Sequence, residues 1–197
     1  PASQAASPGT FGYDPSLSPI PYAPDRAKAL LEDAGYGDGF SMTIEVLVGF
    51  STIDTLLYQQ VAQDLRAIGI NVTLRTPTFA TWLRKFHSNE WGNTDAFSLM
   101  WDSGAYADAI RPVRNFSCAK AAPFFCDKSI MPLIEKTDRI MNVTNRERHL
   151  RSVMRRMRDI SPALLLTTAS QRVATTMDIK SLSLNPPNIN YHTIELQ

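Results

Sequence analysis

The sequence predicts an α/β fold, and three observations predict it. Met42, Ile44, Val46 and Val48 alternate with Thr43, Glu45 and Leu47, which reads as a strand. Ile53, Leu57, Val61, Leu65 and Ile68 then recur at helical spacing up to Gly69, and a second strand, INVTLRT at 70–76, follows at once. Strand, helix and strand so joined form a βαβ crossover, expected to be right-handed with its strands parallel. The composition agrees: 197 residues, 44% apolar and 20% charged with a net charge of +1, can bury a core and exclude a disordered, collagen-like or supercharged chain.

Each element has its own signal. Residues 1–23 hold Pro1, Pro8, Pro15, Pro19 and Pro21 and are expected to be an extended surface connector. Pro24 and Asp25 suit a first helical turn, and the run RAKALLEDA ends at Gly35, giving a helix with Ala27, Leu30, Leu31 and Ala34 on its buried stripe. Ser51 and Asp54 resemble a capping box ahead of the second helix. Thr78 can cap a third, carrying Phe79, Trp82, Leu83 and Phe86, and DAFSLMW at 95–101 reads as a strand. Residues 102–127 show no periodicity, and a long loop after a strand of an α/β sheet is where ligands usually sit. Two helices follow at about 128–142 and 144–160. The second has a capping pattern at Thr144 and Glu147 and an apolar face of Leu150, Val153, Met154, Met157 and Ile160. A buried strand, ALLLTTA at 163–169, comes after two consecutive helices, so a mixed sheet is expected, and a tail with Pro186 and Pro187 closes the chain.

Chemistry-bearing motifs are few. There is no GxSxG, GxxxxGK[ST], GxGxxG or HExxH pattern, and the glycines Gly35, Gly37 and Gly39 follow a helix and precede a strand, the reverse of a dinucleotide-binding turn. His87, His149 and His192 stand apart with no ligand spacing, so neither a metal nor a cofactor is expected. Cys118 and Cys126 have three readings: part of a zinc site, two unrelated thiols, or a local disulfide in an exported protein. Arg146, Arg148, Arg151, Arg155, Arg156 and Arg158 share the outer face of the last helix. They read as a solvated face, with a nucleic-acid or protein-binding module as the alternative, since clustered cations neutralise phosphates. No apolar run reaches the roughly 18 to 20 residues of a membrane-spanning helix, and the first residues lack the basic and apolar regions of a signal peptide. The start without Met, in a Pro-rich stretch, is read as a cut from a longer protein.

The segments PYAPDRAKALLEDAGYGDGF, QQVAQDLRAIGINVTLR, FATWLRKF, TDAFSLMW, NFSC and SPALLLTTAS, in that order, resemble the extracytoplasmic solute-binding proteins of ABC transporters of the oligopeptide, dipeptide and nickel type. Phe116-Ser117-Cys118, with a second Cys shortly after, is most similar to the dipeptide-binding branch. The resemblance implies a two-lobe, periplasmic-binding-protein-like (type II) fold of which this chain is the C-terminal lobe. Residues 24–179 would be that lobe, 1–23 the connector and 180–197 a tail returning to the missing N-terminal lobe. It implies no enzyme. It implies an exported, periplasmic receptor that closes on a peptide or other small solute and hands it to a membrane permease, with Cys118 and Cys126 joined as a disulfide pinning the binding-side loop.

The resemblance also supplies ligand-lining positions: Gly49, Phe50 and Ser51 after the first strand, Phe79 at the start of the third helix, and Trp101, Asp102, Ser103, Gly104 and Tyr106 in the loop after the third strand. Peptide-binding members carry an Asp three residues after the Trp, pairing with the peptide's ammonium group, because a buried unpaired charge is prohibitive. Gly104 stands there in this chain, with Asp102 and Asp108 displaced from it.

Overall fold

The computed structural model describes residues 1–49, 54–100, 107–168, 174–175, 179–182, 184–185, 188–189 and 193–196. The chain divides into two compact units, one of Ile20–Met100 and one of Pro1–Pro19 with Trp101–Gln197.

Ile20–Met100 is the α/β unit. Its elements are α1 (Pro24–Asp33), β1 (Phe40–Glu45), α2 (Asp54–Arg66), β2 (Ile70–Arg75), α3 (Phe79–Ser88) and β3 (Ala96–Phe97). The strands lie in the order β2-β1-β3, and both pairings are parallel. β1 and β2 run in register from Phe40 opposite Ile70 to Glu45 opposite Arg75. β1 meets β3 at Ile44 opposite Ala96 and Glu45 opposite Phe97. Side chains alternate across a strand, so Met42, Ile44, Val72 and Leu74 share one face while Thr43, Glu45, Thr73, Arg75 and Phe97 share the other. The first face packs with Ala62, Leu65, Ile68, Ile70 and Leu31 as an aliphatic core.

The second face carries an aromatic cluster. Buried Trp82 of α3 stacks with Phe79 and Phe86 at centroid distances of 6.5 and 5.1 Å and meets Phe97 edge-on at 6.0 Å. Trp91 stacks on Phe97 at 3.9 Å. Two-point polar clamps join β1 to the β3 segment at both ends: Asp95 N–H donates to Thr43 O and Thr43 N–H to Asp95 Oδ2, while Ser98 N–H donates to Glu45 O and Leu47 N–H to Ser98 Oγ. Gly39 shows how closely the strand entries approach. Its φ is 76°, and a Cβ there would lie 2.1 Å from Gly69 O, so only glycine fits.

Several local expectations hold and others do not. Pro24 opens α1 and Thr78 caps α3, accepting from Thr81 N–H. α1, however, buries no residue: only Leu31 of its predicted stripe joins the aliphatic core, and Leu30 is 57% exposed. The first strand stops at Glu45 rather than Val48, where Val46 N–H turns to Arg75 O and Leu47 N–H to Ser98 Oγ.

The second unit contains α4 (Ile110–Asn115), a 3₁₀ turn (Lys128–Ile130), α5 (Met131–Arg139) and α6 (Val143–Ile160), with β4 (Ile179–Ser181) antiparallel to β7 (Glu195–Leu196) and β5 (Leu184–Asn185) antiparallel to β6 (Asn188–Ile189). Its core consists of Ala109, Val113, Ile130, Ile134, Leu150, Val153, Met154 and Met157. The cap of α6 is Asn142, whose side chain accepts from Asn145 N–H, and not Thr144, which lies one residue inside the helix. The segment 161–168 is not a strand, and Leu164 is 71% exposed. A strand needs a neighbouring edge to pair with, so the expected mixed sheet is not found among the described residues: the β2-β1-β3 sheet is parallel throughout. Cys118 and Cys126 are joined, with Cα atoms 4.5 Å apart. Closing so short a loop stabilises by about 2 to 3 kcal/mol in the chain-entropy model.

Residues 1–19, expected at the surface, bury Gln4, Ala6 and Asp14 in this unit. Gln4 and Asp14 clasp reciprocally, Gln4 Nε2–H donating to Asp14 O and Asp14 N–H to Gln4 Oε1. Phe11 bridges to Asp108, exchanging backbone bonds with Ala107 and Ala109. Asp14 then meets α6 through Arg155 Nε at 2.7 Å.

Two predictions follow from this packing. Gly12 has a φ of 93°, and a Cβ there would stand 2.7 Å from Leu150 Cβ, so Gly12→Ala should lose about 2 kcal/mol or more in denaturant titration. Burial alone would push the Asp14 carboxyl up, but hydrogen bonds from the Ser16 hydroxyl and N–H and the Arg155 guanidinium hold it below its ordinary value. Because the folded carboxyl is the stronger acid, its stabilisation is complete above about pH 4 and is lost as pH falls below that. Asp14→Asn should therefore lower stability at neutral pH and flatten the acid branch of a thermal-unfolding profile.

Candidate functional site

In a parallel sheet, ligands sit outside the carboxyl ends of the strands, where neighbouring connections leave toward opposite faces. The order β2-β1-β3 creates one such point. The chain leaves β1 for α2, which packs on the aliphatic face, and α3 meets the opposite face on its way to β3. The loops after β1 and after β2 thus leave toward opposite faces, and because β3 pairs with β1 the segment after β3 starts beside the first of them, joined to it by the bond from Leu47 N–H to Ser98 Oγ, 2.7 Å long.

Beneath that bond lies Glu45, the last residue of β1, only 4% exposed. Its Oε1 accepts from Lys85 Nζ of α3 at 2.5 Å and from Thr94 Oγ1 at 2.9 Å. Its Oε2 is buried without a hydrogen-bond partner among the described residues, as are the indole nitrogens of Trp82 and Trp91. Burial pushes this carboxyl up, yet the hydrogen bonds from Lys85 and Thr94 and the charges of Lys85 and Arg75 outweigh that and hold it below its ordinary value. It is an ionised, paired carboxylate. Nothing in the sequence analysis singled out Glu45, Lys85, Thr94 or Ser98. The available signal was topological: the central strand of a crossover is covered on both faces, so a Glu at its end has to be paired.

Of the sequence-predicted lining positions, two are described. Gly49 is exposed with a φ of 97°, a left-handed turn four residues beyond β1. Phe79 opens α3, 53% exposed and stacked on Trp82. Phe50, Ser51, Trp101, Asp102, Ser103, Gly104 and Tyr106 lie outside the described residues, as does most of the Ser51 capping box. Among the described residues no His, Cys, Asp and Glu cluster could hold a metal, and no helix is long and apolar enough to cross a membrane.

The arginine face of α6 is largely engaged within its own unit. Arg146 pairs with Asp108 at 2.7 Å, Arg151 with Glu147 at 2.8 Å and Arg155 with Asp14, while Arg156 donates to Ser129 Oγ at 2.9 Å. Arg146, Arg151 and Arg155 are thus paired with the chain's own carboxylates.

Residues 1–123 match the family model of the bacterial extracellular solute-binding proteins, family 5 Middle. Di/tripeptide-binding protein 4 of Pseudomonas aeruginosa is 30% identical over 149 residues, covering 71% of this chain and 27% of its own length. The glutathione-binding protein GsiB of Salmonella choleraesuis is 40% identical over 67 residues, 34% of this chain and 13% of that protein. Among solved structures, HbpA2 from Haemophilus parasuis superposes with a TM-score of 0.72 at 20% identity, over 82% of this chain and 32% of that one. The dipeptide-binding protein from Pseudoalteromonas sp. SM9913, in complex with Met-Leu, superposes with a TM-score of 0.70 at 19% identity, over 100% of this chain and 40% of its own. The chain thus spans well under half the length of these relatives. The expected α/β, periplasmic-binding-protein-like class is the one found, and the chain belongs to the bacterial extracellular solute-binding proteins, family 5.

Proposed function

We propose that this chain is part of the substrate-capture component of an ABC importer. It holds one wall of a site for a peptide or similar small solute, delivers that solute to a membrane permease, and works outside the cytoplasmic membrane, in the periplasm. The observation that carries this reading is the family match over residues 1–123, which includes the loops after β1 and β3. The di/tripeptide- and glutathione-binding relatives support a peptide-like solute. Gly49, Phe50 and Ser51, Phe79, and Trp101 to Gly104 with Tyr106 are the proposed lining, because the carboxyl edge of the sheet is where a parallel α/β unit presents side chains to a ligand. No cofactor, metal or nucleic acid enters this reading. The remaining lobe of the longer protein is the necessary partner.

A clamp gains affinity by burying most of its ligand, whereas one wall leaves a side in water. The chain alone should therefore bind dipeptides such as Met-Leu with a Kd weaker than about 100 μM, against micromolar or tighter for the two-lobe protein, both read by calorimetry. Submicromolar binding by the chain alone would refute the division of labour. In the two-lobe protein, Gly104 leaves no carboxylate at the position that meets the ammonium group. N-acetylation of a dipeptide should then change its Kd by less than tenfold, where loss of a buried ion pair costs about 3 to 5 kcal/mol, a factor above a hundred. A hundredfold loss on acetylation would mean that another carboxylate, Asp102 first, has taken over that role.

A further inference from the structure

We propose that Glu45 is a positioning residue of this site, fixing the spacing between the residues that follow β1, Val46 to Gly49, and the helix that begins at Phe79. The proposal rests on the reading of Gly49 and Phe79 as solute-lining residues.

Glu45 joins three elements. Its side chain holds Lys85 of α3 and Thr94 of the turn before β3, both through Oε1. Its main-chain oxygen accepts from Ser98 N–H at 2.8 Å, and Ser98 Oγ in turn accepts from Leu47 N–H. From Leu47 the chain runs two residues to Gly49. In the other direction Lys85 lies two turns along α3 from Phe79, on a helix seated by Trp82 against Phe97. One carboxylate oxygen therefore ties α3 to the strand end from which the loop departs.

Stability alone does not account for a charge here. A buried ion pair is often replaced by well-packed apolar side chains without loss, because the desolvation of both ions offsets their attraction. What an apolar residue cannot supply is direction. Hydrogen bonds weaken steeply with angle, so two donors from separate elements converging on Oε1 fix where those elements stand. That Oε2 has no partner among the described residues concentrates the constraint on Oε1. The charged groups facing Glu45 are Lys85 from α3 and Arg75 from β2.

The test uses Glu45→Met, which keeps the bulk and removes both acceptors, and Glu45→Gln, which keeps the shape and Oε1. Amide hydrogen exchange on the chain reads Leu47 N–H against the β2 amides Val72 to Leu74, and peptide titration of the two-lobe protein uses Met-Leu. Glu45→Met should speed exchange at Leu47 at least tenfold with β2 unchanged, and should raise the Kd for Met-Leu at least tenfold; Glu45→Gln should restore much of both. If Glu45→Met does not fold, Lys85→Met and Thr94→Val remove the donors instead and give the same two readouts. Unchanged exchange at Leu47 in a folded variant, or equal acceleration throughout β2, overturns the positioning role. If the unmodified two-lobe protein takes up no peptide, the solute reading falls, while the exchange result still decides whether Glu45 sets the loop. If the loop loosens and the Kd stays the same, Glu45 has no part in the site.

Discussion

A carboxylate at the covered end of a central strand has to be paired, and the pairing of Glu45 organises the α/β unit around it. β1 is the only strand with two neighbours in the β2-β1-β3 sheet, so what happens at its carboxyl end determines how both flanking connections depart. Lys85 could reach that point only from a helix packed on the same face, and α3 is held there by Trp82 against Phe97. Thr94 arrives from the turn that begins β3, and Ser98 closes the ladder on the far side. Charge, aromatic packing and strand order are thus mutually dependent. Each element is placed by a partner distant in sequence, which gives the carboxyl edge a defined shape although the sheet has three strands among the described residues.

The second unit solves a related problem with cations. α6 packs against α5 and the 3₁₀ turn, where Ile134 and Ile130 are buried, and its arginines collect carboxylates chiefly from segments with little regular structure. Arg155 takes Asp14, Arg146 takes Asp108 and Arg151 takes its helix neighbour Glu147. Exposed pairs contribute little. Asp14 differs because it is almost fully buried and also receives two hydrogen bonds from Ser16, so its pairing helps to hold residues 1–19 against the helix. The Arg146 guanidinium also lies 5.3 Å from the Phe11 ring centroid, a cation–π contact on the same strap.

What was legible in the sequence follows from how local each signal is. The β1-α2-β2 unit was legible because its apolar spacing and the stop at Gly69 lie within one contiguous stretch, and the Thr78 cap because its acceptor and donor are three residues apart. The stripe of α1 misled because periodicity names the face that would be buried if a partner exists, and only Leu31 meets one. ALLLTTA misled for a similar reason, since a strand-like composition cannot supply the edge it must pair with. Thr144 lost to Asn142 because both can cap and the residue immediately before the helix has the free N–H groups in reach. Glu45 escaped notice because its partners are 40 and 49 residues away, and an alternating Glu in a strand looks the same whether it faces solvent or a lysine.

The geometry of the edge also bears on what a solute would meet there. Glu45 is neutralised by Lys85 and buried below the loop, so it cannot compensate for the Gly at position 104 by receiving a peptide ammonium. Its charge is already committed to shaping the wall. The described part of the site would, on the proposed reading, offer a solute the exposed ring of Phe79 and the turn at Gly49, which suit stacking and hydrogen bonding more than ion pairing. On the proposed reading, selectivity for a charged terminus would then have to come from the loop after β3 or from the other lobe. On that reading the part of Glu45 is to shape the wall from below, its carboxylate already held by Lys85 and Thr94.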